Sequence, residues 1–140
     1  MKIVAITLYP FIIATKEARK NKIIMNHEKI HLSQQKELLV IFFYILYLGN
    51  MLWLLVRWRD IHKAYMLNIF EVEAYTYGGD LTYLRRRKLF WSFKKTGETK
   101  RYIKNIIDLE SKKSDVVKAW AILLGILADV IGFILLGIFI

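Results

Sequence analysis

The chain of 140 residues is the length of one domain, and its hydrophobic fraction of 56% exceeds the ~45–50% usual for soluble domains. The absence of cysteine excludes disulfides, thiolate metal sites and cysteine nucleophiles, so any metal must be held by histidine and carboxylate. A net charge of +10 points to acidic partners, and the apolar blocks described below favour anionic lipid headgroups over nucleic acid.

Residues 3–8 form a short apolar run, followed by Pro10 and lacking a small-x-small pattern before Lys16. This argues against a secretory signal and leaves membrane entry to internal segments. Residues 3–8 and 22–25 are rich in β-branched or apolar side chains, and the polar residues 15–21 can reverse the chain between them. They predict a small N-terminal β-hairpin in an otherwise mainly α protein. Asn26 then caps a helix beginning at His27, where Glu28 in the first turn suits the helix dipole.

On that helix His27 and His31 lie four residues apart on one side, so both imidazoles can bind one zinc ion. Glu28 follows the first histidine and can reach a zinc-bound water as general base. The pattern His27-Glu28-Lys29-Ile30-His31 is short enough to recur by chance, and a catalytic His2Glu site needs a third ligand. Downstream, Phe70-Glu71-Val72-Glu73-Ala74-Tyr75 offers two candidates. Glu71 and Glu73 are two positions apart and point to different helical faces, so both cannot coordinate without distortion.

The first helix continues through Ser33-Gln34-Gln35-Lys36-Glu37 into residues 38–56, which carry no charge, while residues 119–140 carry only Asp129. Both blocks approach the ~20 apolar residues needed to cross hydrocarbon. Helices apolar on every side would need a much larger soluble protein to cover them. Gly49-Asn50 is the turn signal inside the first block and predicts a membrane helical hairpin, whose second arm runs from Met51 towards Tyr77 and ends at Gly78-Gly79. The midpoint between Lys29 and Glu71 is residue 50, so a turn there brings Glu71 level with the histidines. A first helix unbroken to about Arg57 would leave Glu71 roughly 20 Å along the axis from His31. Arms reversed at Gly49-Asn50 are too short to span, so the hairpin would dip into the bilayer and return.

His27-Glu28-Lys29-Ile30-His31 followed by Phe70-Glu71-Val72-Glu73-Ala74-Tyr75 resembles the gluzincin zinc metallopeptidases, especially their membrane-embedded heat-shock and CAAX-processing branch. The resemblance implies peptide-bond hydrolysis at a zinc held by His27, His31 and Glu71, with Glu28 as catalytic base. Glu71 matches the ligand of a Glu-x-x-Ala-Asp type motif, with Ala74 at the Ala position and Tyr75 where the family has Asp. Glu73 is the rival ligand. The resemblance also suggests that residues 22–25 align substrate by adding a strand. The same motif order, with Gln34-Gln35 between, is similar to short uncharacterised bacterial membrane proteins over roughly residues 9–95.

Residues 84–105 gather Arg85, Arg86, Arg87, Lys88, Lys94, Lys95, Lys100, Arg101 and Lys104 against Glu98 alone. With Phe90, Trp91 and Phe93 interleaved, this reads as a cytoplasmic flank at anionic headgroups, each close basic residue contributing ~1 kcal/mol. His62, beside Arg57, Arg59, Asp60 and Lys63, reads as a polar tip near the membrane boundary. Asp129, costly inside a spanning helix, points to pairing with another helix or a membrane protein partner. The chain thus divides into a metallopeptidase-like membrane domain (1–80), a basic interfacial segment (81–118) and a C-terminal transmembrane helix (119–140). Lys112, Lys113 and Lys118 precede that helix and no charge follows it. The positive-inside rule then places the basic segment and the metal site on the cytoplasmic side of a bacterial inner membrane. The competing reading is a non-catalytic small subunit of a membrane protein complex, with the histidine pair structural or empty.

Overall fold

Thr15, Asn21, Asp60 and Asn68 each carry a side-chain oxygen able to accept a first-turn N–H, and each starts a helix. In the computed structural model, which describes residues 4–108 and 122–132, Thr15 accepts from Ala18 N ahead of α1 (Lys16–Lys20) and Asn21 from Ile23 and Ile24 N ahead of α2 (Lys22–Glu37). Asp60 accepts from Lys63 N ahead of α4 (Ile61–Leu67), and Asn68 from Phe70 N ahead of α5 (Ile69–Tyr77). The remaining described elements are strands β1 (Ala5–Leu8) and β2 (Phe11–Ala14), helices α3 (Ile41–Trp58), α6 (Tyr83–Arg86), α7 (Gly97–Asp108) and α8 (Ile122–Gly132), and a 3-10 turn (Trp91–Phe93). The protein is mainly helical with one small antiparallel sheet, as predicted.

The hairpin is built from other residues than the sequence suggests. β1 pairs with β2 across Tyr9-Pro10, with Leu8 opposite Phe11 and Ile6 opposite Ile13. Residues 22–25 form the first turn of α2 instead of a strand. Asn21 accepts two first-turn N–H groups, which starts the helix five residues before His27 and overrides the β preference of Ile23 and Ile24. Asn26, read as the cap, lies inside α2, and its amide donates to the carbonyl of Gly78 at 2.8 Å.

The predicted turn at Gly49-Asn50 does not form. α3 runs through it unbroken, and Asn50 Oδ1 accepts from Ile69 N at 2.9 Å, at the start of α5. The chain reverses at two other places. α2 ends in a Schellman motif without glycine: Leu39 has φ 55, its N–H donates to Lys36 O, and Val40 N–H donates to Gln35 O at 2.7 Å. α3 ends at Arg59, also left-handed at φ 51, whose N–H donates to Leu55 O. α4 packs back on α3, and Met51, Leu54, Ala64 and Leu67 share one core cluster with Ile106 of α7 and Leu123 of α8.

The predicted second arm is therefore three pieces, although its end at Gly78 holds. The break at the fully buried Asn68 lets α5 leave the hairpin and lie antiparallel along α2, with Phe70 beside Gln34 and Gly78 beside Asn26. The fully buried Phe70 ring packs against Phe43 and Tyr47 of α3 and against Phe93, and its burial contributes ~1.5–3 kcal/mol to holding α5 in place.

Among the described residues α3 is the one helix long and apolar enough to cross a membrane. Its 18 residues measure ~27 Å, and Ile41, Phe42, Ile45, Leu52, Trp53 and Val56 lie exposed along it. α8 is apolar but shorter, with Asp129 exposed on it. Residues 109–121 and 133–140, including both ends of the predicted C-terminal transmembrane helix and Lys112, Lys113 and Lys118, lie outside the described residues.

Candidate metal centre

The i, i+4 spacing on α2 stacks the two histidine rings, whose centroids are 4.7 Å apart, with Nε2 of His27 and Nε2 of His31 separated by 3.0 Å. α5 brings Glu71 to the same point: its Oε2 lies 3.3 Å from both Nε2 atoms. That oxygen is buried and makes no hydrogen bond. Around a tetrahedral ion with bonds of ~2.0–2.1 Å, donor atoms stand ~3.3 Å apart. His27, His31 and Glu71 thus form a group that could hold a metal ion. A buried carboxylate oxygen that accepts no hydrogen bond, set between two imidazoles, is a donor set suited to a divalent metal ion.

The reversal predicted to bring Glu71 here is absent, yet Glu71 arrives. The separation of roughly 20 Å presumes one helix unbroken from His27 to Arg57. The Schellman stop after Glu37 and the break at Asn68 remove that condition.

Neighbouring groups fix each ligand. The Tyr47 hydroxyl of α3 donates to Glu71 Oε1 at 2.7 Å, leaving Oε2 turned towards the histidines. His31 Nδ1 lies 2.8 Å from Gln34 Oε1, leaving Nε2 for the metal position. The His27 ring stands edge-on to Tyr75 at 4.5 Å, and a Cβ added at Gly78 would be in ordinary contact with His27 Cβ at 3.5 Å but would meet Ala74 O at 2.7 Å. Burial alone would lower the His31 pKa, but the Glu71 carboxylate more than offsets it and pushes it up to about 9. Burial likewise pushes Glu71 up, and the two imidazoles pull it well below the usual carboxylate range.

Glu28 is buried beside this group without belonging to it. Its Oε2 accepts from the Thr7 hydroxyl of β1 at 2.6 Å. Glu73, the rival ligand, faces the opposite way and accepts from Gln34, Tyr83, Arg87 and Ser92. His62 is exposed on α4 and does not join the group.

No family model, curated protein or solved structure matches this chain. The site therefore has to be read from its own geometry. Thr7, Gln34, Tyr47 and Tyr75 are its members that the motif alone does not assign. Gln34 sits three residues after His31, the i, i+3 spacing of helical neighbours, and that spacing is a signal in the sequence. Thr7 and Tyr47 reach the site through the fold and leave no such trace.

Proposed function

We propose that this protein is a membrane-embedded zinc metallopeptidase of the gluzincin type, hydrolysing peptide bonds. The observation that carries the reading is the convergence of two imidazole nitrogens and one carboxylate oxygen that accepts no hydrogen bond, at ligand spacing, with the second carboxylate of Glu28 outside the group. His27, His31 and Glu71 would hold the ion. Zinc, when bound, supplies a Lewis acid for the scissile carbonyl and lowers the pKa of water. Glu28 accepts the proton of the attacking water and passes it to the departing amine. Thr7 holds Glu28 through Oε2, which leaves Oε1 as the atom that takes the proton.

Residues 22–25, being helical, cannot add a strand to a substrate, and β1 takes that role. Along β1 the groups of Val4, Ile6 and Leu8 face β2, so those of Ala5 and Thr7 face outward beside Glu28. The Gln35 side chain already bonds part of this edge, donating to Thr7 O and accepting from Tyr9 N, each at 2.8 Å. An extended peptide pairs with what remains.

α3 sits in the bilayer of a bacterial inner membrane, and the basic segment lies against anionic headgroups. Exposed Leu89, Phe90 and Phe93 beside Lys88, Lys94 and Lys95 support that contact. The test is Glu28→Gln in purified protein in detergent: zinc is retained, because Glu28 is not a ligand, and hydrolysis of an unfolded protein substrate is lost. Hydrolysis at native rate in that variant refutes the mechanism.

A further inference from the structure

We infer that Arg87, from the basic segment, is a positioning residue for the ligand His31, acting through Glu73 and Gln34. The inference rests on the metal reading of His31. Both N–H bonds of the Gln34 amide are taken by groups that can only accept, since Nε2 lies 2.9 Å from Glu73 Oε2 and 3.1 Å from Phe70 O. The amide cannot flip without facing oxygen to oxygen at both. Its Oε1 must then face His31 Nδ1, at 2.8 Å, and an acceptor there requires Nδ1 to carry a proton. The nitrogen without that constraint is Nε2, the one aimed at Glu71 and His27. The protonation pattern that His31 needs as a ligand is thus dictated from Gln34 outward.

Glu73 makes this possible only as an ionised, acceptor-only group. It receives Arg87 Nε at 2.6 Å, the Tyr83 hydroxyl at 2.8 Å and the Ser92 hydroxyl, besides Gln34. Arg87 is itself gripped by Glu37 at the end of α2, with Nη1 and Nη2 at 2.9 and 2.7 Å from its two oxygens. Its side chain is 5% exposed, unlike the neighbouring Arg85, Arg86 and Lys88. One arginine of the basic run is therefore turned inward to complete the support of the metal site.

Three variants test this. Gln34→Leu should weaken zinc binding, measured by chelator competition, by ~10–100-fold while native helical content is kept. Arg87→Lys, which keeps the charge without the fork, should lose less affinity than Arg87→Met. Independently of metal, the native protein should show a slowly exchanging His31 Nδ1–H proton by NMR, and Gln34→Leu should abolish its protection. If the native protein takes no zinc, the metal reading falls and the proton signal decides the positioning chain alone. Zinc affinity in folded Gln34→Leu within about twofold of native, or an unprotected Nδ1–H in the native protein, overturns the proposal.

Discussion

Two members of the candidate centre are aimed by a hydrogen bond on the side away from the others: Gln34 holds His31 Nδ1, and the Tyr47 hydroxyl holds Glu71 at 2.7 Å. Removing only that oxygen, in Tyr47→Phe, leaves the ring packed against Phe70 and frees the carboxylate to rotate. Zinc affinity should fall by ~10–100-fold, as for other groups that orient ligands, with the thermal midpoint changed little. Chelator competition on the two proteins measures it. That His27 and His31 come together was legible in the sequence, because helical periodicity fixes which side they share. Helical periodicity showed only that Glu71 and Glu73 could not both join the histidines; in the fold both meet α2, Glu71 at the histidines and Glu73 at Gln34. Tyr47 and Thr7 were not legible, because nothing local ties residue 47 to residue 71 or residue 7 to residue 28.

Neither end of α2 was read correctly from the sequence, which placed its cap at Asn26 and ran the helix on into residues 38–56. Asn21 and Asn68 are ordinary N-caps, whereas α2 stops on Leu39 and Val40, two apolar residues at positive φ where glycine is the usual signal. The visible glycine, Gly49, lies in the middle of α3. Leu39 is exposed, so Leu39→Gly should remove left-handed strain of ~1–2 kcal/mol with little packing lost. The flexibility glycine adds to the unfolded chain offsets part of this, leaving a gain of roughly 0.5–1 kcal/mol, to be read from denaturant midpoints in detergent. The contact of α5 with the basic segment has its own signature. Burial raises the pKa of Glu73, and the hydrogen bonds from Arg87 and Ser92 more than reverse this, so it titrates below its ordinary value. A depressed carboxylate contributes stability above its unfolded pKa of ~4.3, and that contribution is lost as pH falls through the folded value. Arg87→Met should therefore move the acid-unfolding midpoint, followed by circular dichroism, to higher pH. An unchanged midpoint would show that the pair does not couple folding to pH.

At the scale of the molecule, the two apolar blocks, the basic run and the helical class were all visible in the order of residue types, because they do not depend on which residues touch. What that order could not give was the path by which α5 returns to α2. A crossing by residues 119–140 predicts an orientation from the sequence charges: Lys112, Lys113 and Lys118 on the cytoplasmic side, and a reporter fused after Ile140 on the far side. A cytoplasmic reporter would reverse that orientation. The claim on which everything else stands is that His27, His31 and Glu71 hold one zinc. The direct measurement is the metal content of the purified protein in detergent, by elemental analysis, for the native chain, His31→Ala and Glu71→Ala. The account predicts about one zinc per chain in the native protein and a large loss in both variants. Native zinc no higher than that of either variant would contradict it.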